Sequence, residues 1–279
     1  MILVEETGPL ALIEDLGRSG LAHLGVPPSG AADRSASALA NRLVGNAEGA
    51  AVVEVTLGGL VITTTKLHWV AVTGAPTQLL IDTQPTSSHT ALSVRPGERL
   101  RIEPPEEGVR NYLAVRGGLL APKTLGSRST DVLSVLGPPV LRPGDTFDVG
   151  QATGGLPGID IAPPRRPSKQ LQVLPGPRRD WFTDEAWNRL VNGRWTTSVD
   201  ADRVAVRLEG PRLIRSVGDE LPSEGLIRGA IQIPPAGQPL IFLADHPVTG
   251  GYPVIGVLTD RSADHAAQLR PGDELSFHG

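Results

Sequence analysis

The sequence predicts a mainly β protein with a few short helices. The chain has 279 residues, of which 33 are Gly and 26 are Pro. Residues of these two types interrupt long helices but suit short strands that are joined by tight turns. Aromatic residues make up only 4% of the chain, so Leu, Val, Ile and Ala have to fill the core. Short runs rich in these apolar residues recur between the turns.

The first element with clear boundaries is a helix near the N-terminus. A loop rich in Gly and Pro precedes it, Asp33 can cap its first turn, and Gly45-Asn46 can end it. Loops of this kind commonly carry recognition or chemistry; the alternative is a loop that only leads into a capped helix. Four residues of this segment are candidate loop or interface residues: Arg18, Ser29, Asp33 and Asn41.

Strands and one more helix are predicted from the apolar pattern of the remaining chain. The helix runs from Asp184 to about Val191, with Trp187 and Leu190 on one face. The predicted strands are residues 51–57, 60–64, 69–73, 78–82, 100–103 and 112–116 in the first half, and 171–174, 204–208, 240–244, 254–259 and 274–277 in the second.

A short phrase, Arg-Pro-Gly followed by an acidic residue, occurs three times, starting at Arg95, Arg142 and Arg270. Pro and Gly at the two central positions favour a type II turn that leads into a strand. Its recurrence near residue 145 and again at the C-terminus suggests two related β units. Residues 150–168 between them are rich in Gly and Pro, as linkers are. We therefore predict two domains, residues 1–168 and 169–279.

Composition excludes several classes of function. The chain has no Cys, so disulfides, thiolate metal sites and Cys nucleophiles are excluded. A net charge of −4 favours no nucleic-acid partner. The six His residues show no metal-ligand spacing, and we expect no bound metal. We find neither a signal-peptide pattern nor an apolar run of the ~20 residues a membrane helix needs, so we expect a cytoplasmic protein without a membrane partner.

A Gly- and Ser-rich loop near residue 128 is the first candidate binding site. Backbone amides freed by Gly, hydroxyl groups and a guanidinium group can together hold an anion or a carboxylate. The alternative is a Ser/Thr-rich turn whose hydroxyls satisfy its own backbone. The candidate substrate-binding residues here are Ser127, Arg128, Ser129 and Thr130.

A second candidate site follows the predicted strand 240–244. The strand ends in Asp245-His246 and the chain then turns through Thr249-Gly250-Gly251-Tyr252. Glycines let a ligand approach the backbone, and a Tyr supplies a ring and a hydroxyl group. The alternative is a wide hairpin on which Tyr252 packs as a lid. The candidate catalytic residues are Asp245, Thr249 and Tyr252, and the candidate substrate-binding residues are Gln232, Gly250 and Gly251.

Several phrases, in order along the chain, resemble one family. The chain is similar to the family known as allophanate hydrolase subunit 2, KipA or the C component of 5-oxoprolinase, which is related to the carboxyltransferase part of urea carboxylase. The resemblance covers nearly the whole chain. The matching phrases include Asp15-Leu16-Gly17-Arg18, residues 25–30, 40–46, 112–118 and 126–130, Ile231-Gln232-Ile233-Pro234, Gly237-Gln238-Pro239 and Thr249-Gly250-Gly251-Tyr252-Pro253.

The resemblance implies two cyclophilin-like β-barrel units and a partner, a KipI-like subunit 1. It implies that the chain is a non-autonomous subunit of an ATP-dependent 5-oxoprolinase that, with a third subunit, opens the small molecule 5-oxoproline to L-glutamate. ATP would then be shared with or supplied through the partner subunits. Two alternatives stay open: a regulatory partner of a KipI-like inhibitor of a sensor kinase, and a carboxyltransferase component that acts on a urea-like substrate. The only Met is Met1, so no biotin-accepting Met-Lys pair is expected on this chain.

Overall fold

The computed structural model describes residues 1–155, 157–159 and 161–279; Leu156, which falls in the predicted linker, and Asp160 lie outside the described residues. Strands account for 36% of the chain and helices for 12%, which confirms the predicted mainly β class with few short helices. None of the helices in the described ranges is long and apolar enough to cross a membrane.

Internal contacts divide the chain into two compact units. Unit 1 comprises Met1–Arg18, Ser29–Asp131 and Val135–Arg166, and unit 2 comprises Ser19–Pro28, Val132–Ser134 and Pro167–Gly279. Two short segments of the N-terminal half therefore group with unit 2, an assignment that one boundary near residue 168 does not describe. The two-domain division stays a prediction at that boundary.

Unit 1 consists of two sheets and one helix. Seven strands form one sheet in the order β11-β12-β1-β4-β9-β6-β7, and five form the other in the order β2-β3-β10-β5-β8. The strands are β1 (Ile2–Thr7), β2 (Leu10–Glu14), β3 (Val52–Thr56), β4 (Leu60–Thr64), β5 (His68–Gly74), β6 (Gln78–Ile81), β7 (Gln84–Ser87), β8 (Ala91–Val94), β9 (Arg99–Ile102), β10 (Arg110–Val115), β11 (Leu119–Leu120) and β12 (Thr146–Val149).

The core of unit 1 is made of small and branched apolar side chains, as the shortage of aromatic residues requires. Val4, Val53, Leu100 and Leu113 belong to one buried cluster to which both sheets contribute. Helix α1 (Arg34–Leu43) buries Ala36, Ala40 and Leu43 in a second cluster that includes Tyr112. Asp33 caps this helix by accepting a hydrogen bond from the amide of Ala36 at 3.0 Å, which confirms the predicted N-terminus.

Unit 2 contains a closed seven-stranded barrel, in the order β13-β20-β17-β18-β15-β14-β21. Its first and last strands pair in parallel, with Leu171 opposite Phe277, which closes the barrel and removes its edges. The strands are β13 (Gln170–Pro175), β14 (Arg194–Thr197), β15 (Ala205–Glu209), β16 (Glu224–Gly225), β17 (Ala230–Gln232), β18 (Leu240–Phe242), β19 (Thr249–Gly250), β20 (Val254–Leu258) and β21 (Glu274–His278); β16 and β19 pair with each other.

Helix α2 (Asp184–Asn192) is confirmed, and helix α3 (Asp260–Ala266) was not predicted. The predicted strand 254–259 ends one residue early because Thr259 caps α3, its side chain accepting from the amide of Ser262. The N-terminal strands β1 and β2 were also missed, although Ile2 and Val4 are buried on alternate positions as in a half-buried strand.

All three Arg-Pro-Gly-acid phrases fold into the same turn. The amide of the acidic residue donates to the carbonyl of the arginine three positions earlier, and the Gly has a positive φ of 82°, 97° or 84°, as in the predicted type II turn. The acidic side chain in turn accepts from the amide of its Arg, at 2.7 Å for Glu98, 2.8 Å for Asp145 and 2.9 Å for Asp273. In each turn the acidic side chain therefore adds a second hydrogen bond between the same two residues.

Candidate functional site

The Gly- and Ser-rich loop of unit 1 is organised around Asp15. The hydroxyls of Ser127 and Ser129 donate to its Oδ1 at 2.5 and 2.7 Å, and the amide of Arg128 donates to its Oδ2 at 2.7 Å. The amide of Gly17 adds a fourth hydrogen bond at 2.8 Å. The structure thus brings three of the four predicted substrate-binding residues of this loop together, around a carboxylate that belongs to the chain itself.

The network also fixes the charge state of Asp15. Burial alone would raise the pKa of this carboxyl, but the hydrogen bonds from Ser127, Arg128, Ser129 and Gly17 outweigh burial and lower the pKa below its usual value. Asp15 is therefore a stable anion that occupies the two Ser hydroxyls and the Arg128 amide, while the Nε of Arg128 has no hydrogen-bond partner among the described residues. The hydroxyls of Ser127 and Ser129 thus donate to a side chain that is distant in sequence and not to the backbone of their own turn, and substrate binding by this loop stays a prediction.

Arg18 and Ser29 lie beside this loop and are buried. Arg18 is only 3% exposed and donates from Nη2 to the carbonyl of Ser129, while within the described ranges its Nε and Nη1 atoms have no hydrogen-bond partner. The Ser29 hydroxyl donates to the carbonyl of Thr130 at 3.1 Å, and Ser29 has a φ of 53°, which is uncommon for a residue with a side chain. Both side chains thus serve the interior of the fold.

The other two candidate interface residues of the opening segment are also buried. Asp33 is 9% exposed and caps α1, and Asn41 is fully buried. Asn41 donates from Nδ2 to the carbonyls of Glu48 and Ala50 at 3.2 and 2.8 Å, so it closes the loop after the helix. All four residues thus have structural contacts within the chain, and a part for them in a partner interface stays a prediction.

Asp245 in unit 2 is fully buried in an ion pair with Arg203. The Nε of Arg203 donates to Oδ2 at 2.9 Å and Nη2 donates to Oδ1 at 3.1 Å; the side chains are 1% and 0% exposed. The amide of Val132, which groups with unit 2, also donates to Oδ2 at 3.1 Å. A catalytic part for Asp245 stays a prediction, and its geometry suits a residue that positions the loop after β18.

The Thr249–Tyr252 segment lies next to Gln232. Gln232 is 3% exposed and donates from Nε2 to the carbonyl of Tyr252 at 2.8 Å. A side chain at position 250 would place its Cβ 2.6 Å from that Nε2 atom, so only Gly allows the strand to approach Gln232 this closely. Thr249 and Gly251 are exposed, and Tyr252 is 43% exposed. The structure thus brings Gln232, Gly250 and Tyr252 together.

Sequence reasoning missed Arg215, which lies beside Tyr252. The guanidinium carbon of Arg215 is 5.7 Å from the centroid of the Tyr252 ring, within the range of a cation–π interaction. Arg215 and Arg212 line a cavity of about 350 Å³ in unit 2. The segment from Gly210 to Val217 contains two arginines and no acidic residue, and this pattern could have marked it as an anion site.

Among the described residues, no group of three or more His, Asp or Glu side chains is placed to hold a metal ion. The basic cavity and the Tyr252 segment are two parts of unit 2 that offer polar groups to a small molecule. Their donors are guanidinium, amide and hydroxyl groups, which suit an anionic ligand rather than a cation.

Comparison with known proteins gives related sequences over nearly the whole chain. A protein of Escherichia coli named as a 5-oxoprolinase subunit is 32% identical over 280 residues, which cover 99% of this chain and 90% of that protein. The protein of the same name from Haemophilus influenzae is 33% identical, with the same coverage. The urea amidolyase of Lachancea kluyveri is 31% identical, but the match covers only 16% of that protein.

Solved structures show the same fold. TTHA0988 matches with a TM-score of 0.91 at 36% identity, over all of this chain and 55% of that chain. The urea amidolyase of K. lactis matches with a TM-score of 0.91 at 28% identity, over 99% of this chain and 18% of that chain. This chain thus spans 55% of the TTHA0988 chain in that crystal form but 99% of it in another, and less than a fifth of the urea amidolyase. The family model of the carboxyltransferase domain, subdomains A and B, matches residues 24–279, and the chain belongs to this family.

Proposed function

We propose that this chain is a non-autonomous subunit of an ATP-dependent 5-oxoprolinase, which opens 5-oxoproline to L-glutamate. It would act with a KipI-like subunit 1 and a third subunit. The observation that carries the proposal is coverage: the two bacterial relatives named as a 5-oxoprolinase subunit match along 90% of their own length. The urea amidolyase of Lachancea kluyveri matches along only 16% of its length. A cytoplasmic location stays a prediction.

The chemistry explains why polar loops are needed. An unstrained lactam is a poor electrophile; ATP would transfer a phosphoryl group to the lactam oxygen, releasing ADP, and so make the carbonyl carbon more reactive toward water. The enzyme must therefore hold the substrate carboxylate and stabilise developing negative charge with preorganised donors. On this chain, Arg215 and Arg212 would hold a carboxylate, while Gln232 fixes the Tyr252 segment beside them.

ATP is proposed as a substrate that is shared with or supplied through the partner subunits. The sequence contains no P-loop, and the basic cavity offers donors for one anionic group. The residues described above support a role for this chain in binding and orienting the small molecule. Thr249 and Tyr252 stay predicted catalytic residues next to it.

The test is reconstitution. The chain is co-expressed with its candidate subunit 1, the third subunit is added, and glutamate release from 5-oxoproline is measured with and without ATP. We expect turnover only when all three proteins and ATP are present. Intact turnover in the mixture that lacks this chain would overturn the proposal.

One alternative has a specific observation in its favour. The matching family is a carboxyltransferase domain, and the urea carboxylase of Kluyveromyces lactis matches with a TM-score of 0.89 over 99% of this chain. In this alternative the chain transfers a carboxyl group to a urea-like acceptor, with biotin carried on another chain. A stable complex without 5-oxoproline turnover, but with carboxyl transfer from added carboxybiotin, would favour it.

A further inference from the structure

The basic cavity of unit 2 is built from two loops of the barrel. One loop, residues 212–218, follows β15, and the other, Pro234-Pro235, follows β17. Both are fixed by backbone hydrogen bonds: the amide of Leu213 donates to the carbonyl of Gly237 at 3.0 Å, and the amide of Ser216 donates to that of Trp181 at 2.9 Å. These bonds tie residues 212–218 to Gly237 and Trp181, two positions of the same unit.

Two guanidinium groups of this cavity carry unbalanced charge. In the part of the chain that the structure describes, neither Arg212 nor Arg215 has an ion-pair partner, whereas Arg178 of the same unit pairs with Glu224. Arg215 donates from Nη2 to the carbonyl of Ile233, and its Nε is buried and has no hydrogen-bond partner among the described residues. Such a buried donor is costly unless something accepts from it.

The partial burial of Arg215 also favours an anion in the cavity. Burial lowers the pKa of its guanidinium from the usual value, and the nearby Tyr252 only partly opposes this effect. An anion in the cavity would offset the cost of burying the cation. Arg212 donates from Nη2 to the carbonyl of Pro235 at 3.1 Å, which holds its guanidinium at the cavity wall.

The remaining walls are apolar. Leu213, Ile214, Val217, Pro234 and Pro235 line the cavity together with Gly218 and the two arginines. A cavity of about 350 Å³ is at the small end of ligand sites, which span about 300 to 1,000 Å³ and are mostly apolar with a few polar groups. This composition fits a small organic acid better than a bare inorganic anion, because the organic body has apolar walls to contact.

We propose that this cavity binds a small organic acid, whose carboxylate is held by Arg215 and Arg212 and whose apolar body lies against Val217 and the Pro234-Pro235 turn. The acid site stands on the geometry alone, and only the identification of the acid as 5-oxoproline rests on the proposed function. Tyr252 takes part by packing its ring against the guanidinium group of Arg215. This contact fixes the orientation of the planar guanidinium group and therefore of its N–H donors.

The experiment measures binding to the purified full chain by NMR. The Arg215 Nε–H resonance, assigned as the signal that Arg215→Lys removes, is followed while 5-oxoproline, inorganic phosphate or neutral 2-pyrrolidinone is added. We expect 5-oxoproline to shift it at millimolar concentration or below, and the neutral lactam to leave it unchanged. No shift with 5-oxoproline, an equal shift with 2-pyrrolidinone, or tighter binding of phosphate would each overturn the proposal.

Variants give a second readout. Calorimetry of 5-oxoproline binding should show an affinity about tenfold or more weaker for Arg215→Lys and Arg212→Met, because each loses a charge-assisted hydrogen bond. Arg212→Met keeps the test valid if the Lys variant folds poorly, since Arg212 is exposed. The matched control is Arg194→Met, which removes a guanidinium that is 88% exposed and outside the cavity. Wild-type affinity in both cavity variants would contradict the proposal.

The site and the proposed function fail separately. If 5-oxoproline shifts Arg215 but the reconstituted complex has no turnover, the acid site stands and the proposed function falls. If the complex turns over and Arg215→Lys has wild-type kcat/KM, the function stands and the site falls.

Discussion

The Asp15 network in unit 1 and the basic cavity in unit 2 differ in what their polar groups bind. Around Asp15, two hydroxyls and two amides all donate to one carboxylate of the chain. Around the cavity, the Nε of Arg215 has no acceptor among the described residues. Residue types alone did not mark the cavity, and for the first loop they left an anion site and a self-satisfied turn both open. The hydroxyls and amides around Asp15 are already satisfied and have little to offer a ligand, but the Nε atoms of Arg18 and Arg128 beside them, like that of Arg215, have no hydrogen-bond partner among the described residues.

The largest loss of stability is expected when the buried Arg203–Asp245 ion pair of unit 2 is broken. Neither residue lines the basic cavity. Arg203→Met removes the guanidinium group that pairs with the buried carboxylate of Asp245, which should cost about 3–5 kcal/mol of unfolding free energy. Urea denaturation measures it. The control is Arg178→Met, which breaks a pair with side chains 35% and 28% exposed, and such pairs contribute about 1 kcal/mol or less. Equal losses in the two variants would contradict this account of Asp245.

Asp15→Ala tests whether the Asp15 network of unit 1 stabilises the fold and does not bind the ligand. The variant leaves its donors without their acceptor, and we expect a loss of about 2 kcal/mol at pH 7 with unchanged affinity for 5-oxoproline. Urea denaturation and calorimetry measure the two quantities. A variant that keeps its stability but loses affinity would make the Ser127–Thr130 loop a binding site again.

The same carboxylate gives a pH dependence. Because the pKa of Asp15 is lowered in the folded state, its stabilising contribution is fully present above the unfolded value of about 3.9 and is lost as the pH falls through the folded pKa. The wild type should therefore lose stability below about pH 4 more steeply than Asp15→Asn. Parallel curves of unfolding free energy against pH would show that Asp15 contributes nothing.

Contacts between residues that are close in the sequence could be predicted, whereas contacts between distant residues could not. The cap at Asp33 and the three Arg-Pro-Gly-acid turns were predicted because each joins residues at most three positions apart. Ser127 and Asp15 are 112 positions apart, so no local pattern shows that this hydroxyl is already engaged. The two arginines of residues 210–217, a segment with no acidic residue, could have marked this region, but the unpartnered Nε of Arg215 among the described residues is a property of the folded neighbourhood and not of the sequence.

Two alanine variants, one in the Asp15 network and one beside the basic cavity, should have smaller and opposite effects on stability and on binding. Ser129→Ala removes a hydroxyl that both donates to Asp15 and accepts from its amide at 2.9 Å, so it should lower stability by about 1–2 kcal/mol and leave 5-oxoproline affinity unchanged. Tyr252→Ala removes a ring that is 43% exposed, so it should cost little stability and weaken binding severalfold. Denaturation and calorimetry on both variants measure this, and the reverse pattern would invert the comparison.

The smallest effects concern glycines with positive φ. At Gly144 in unit 1 and Gly272 in unit 2, an added Cβ meets no atom within 4 Å, so Gly→Ala costs only the left-handed backbone conformation, about 1 kcal/mol at either site. Gly237, with a φ of 82°, adds a clash, because its Cβ would lie 2.4 Å from Cγ of Arg212. Gly237→Ala should therefore cost more stability and also weaken 5-oxoproline binding, since Arg212 has to move away from the cavity. Equal losses in all three variants, with binding unchanged, would show that the position of Arg212 does not matter to the site.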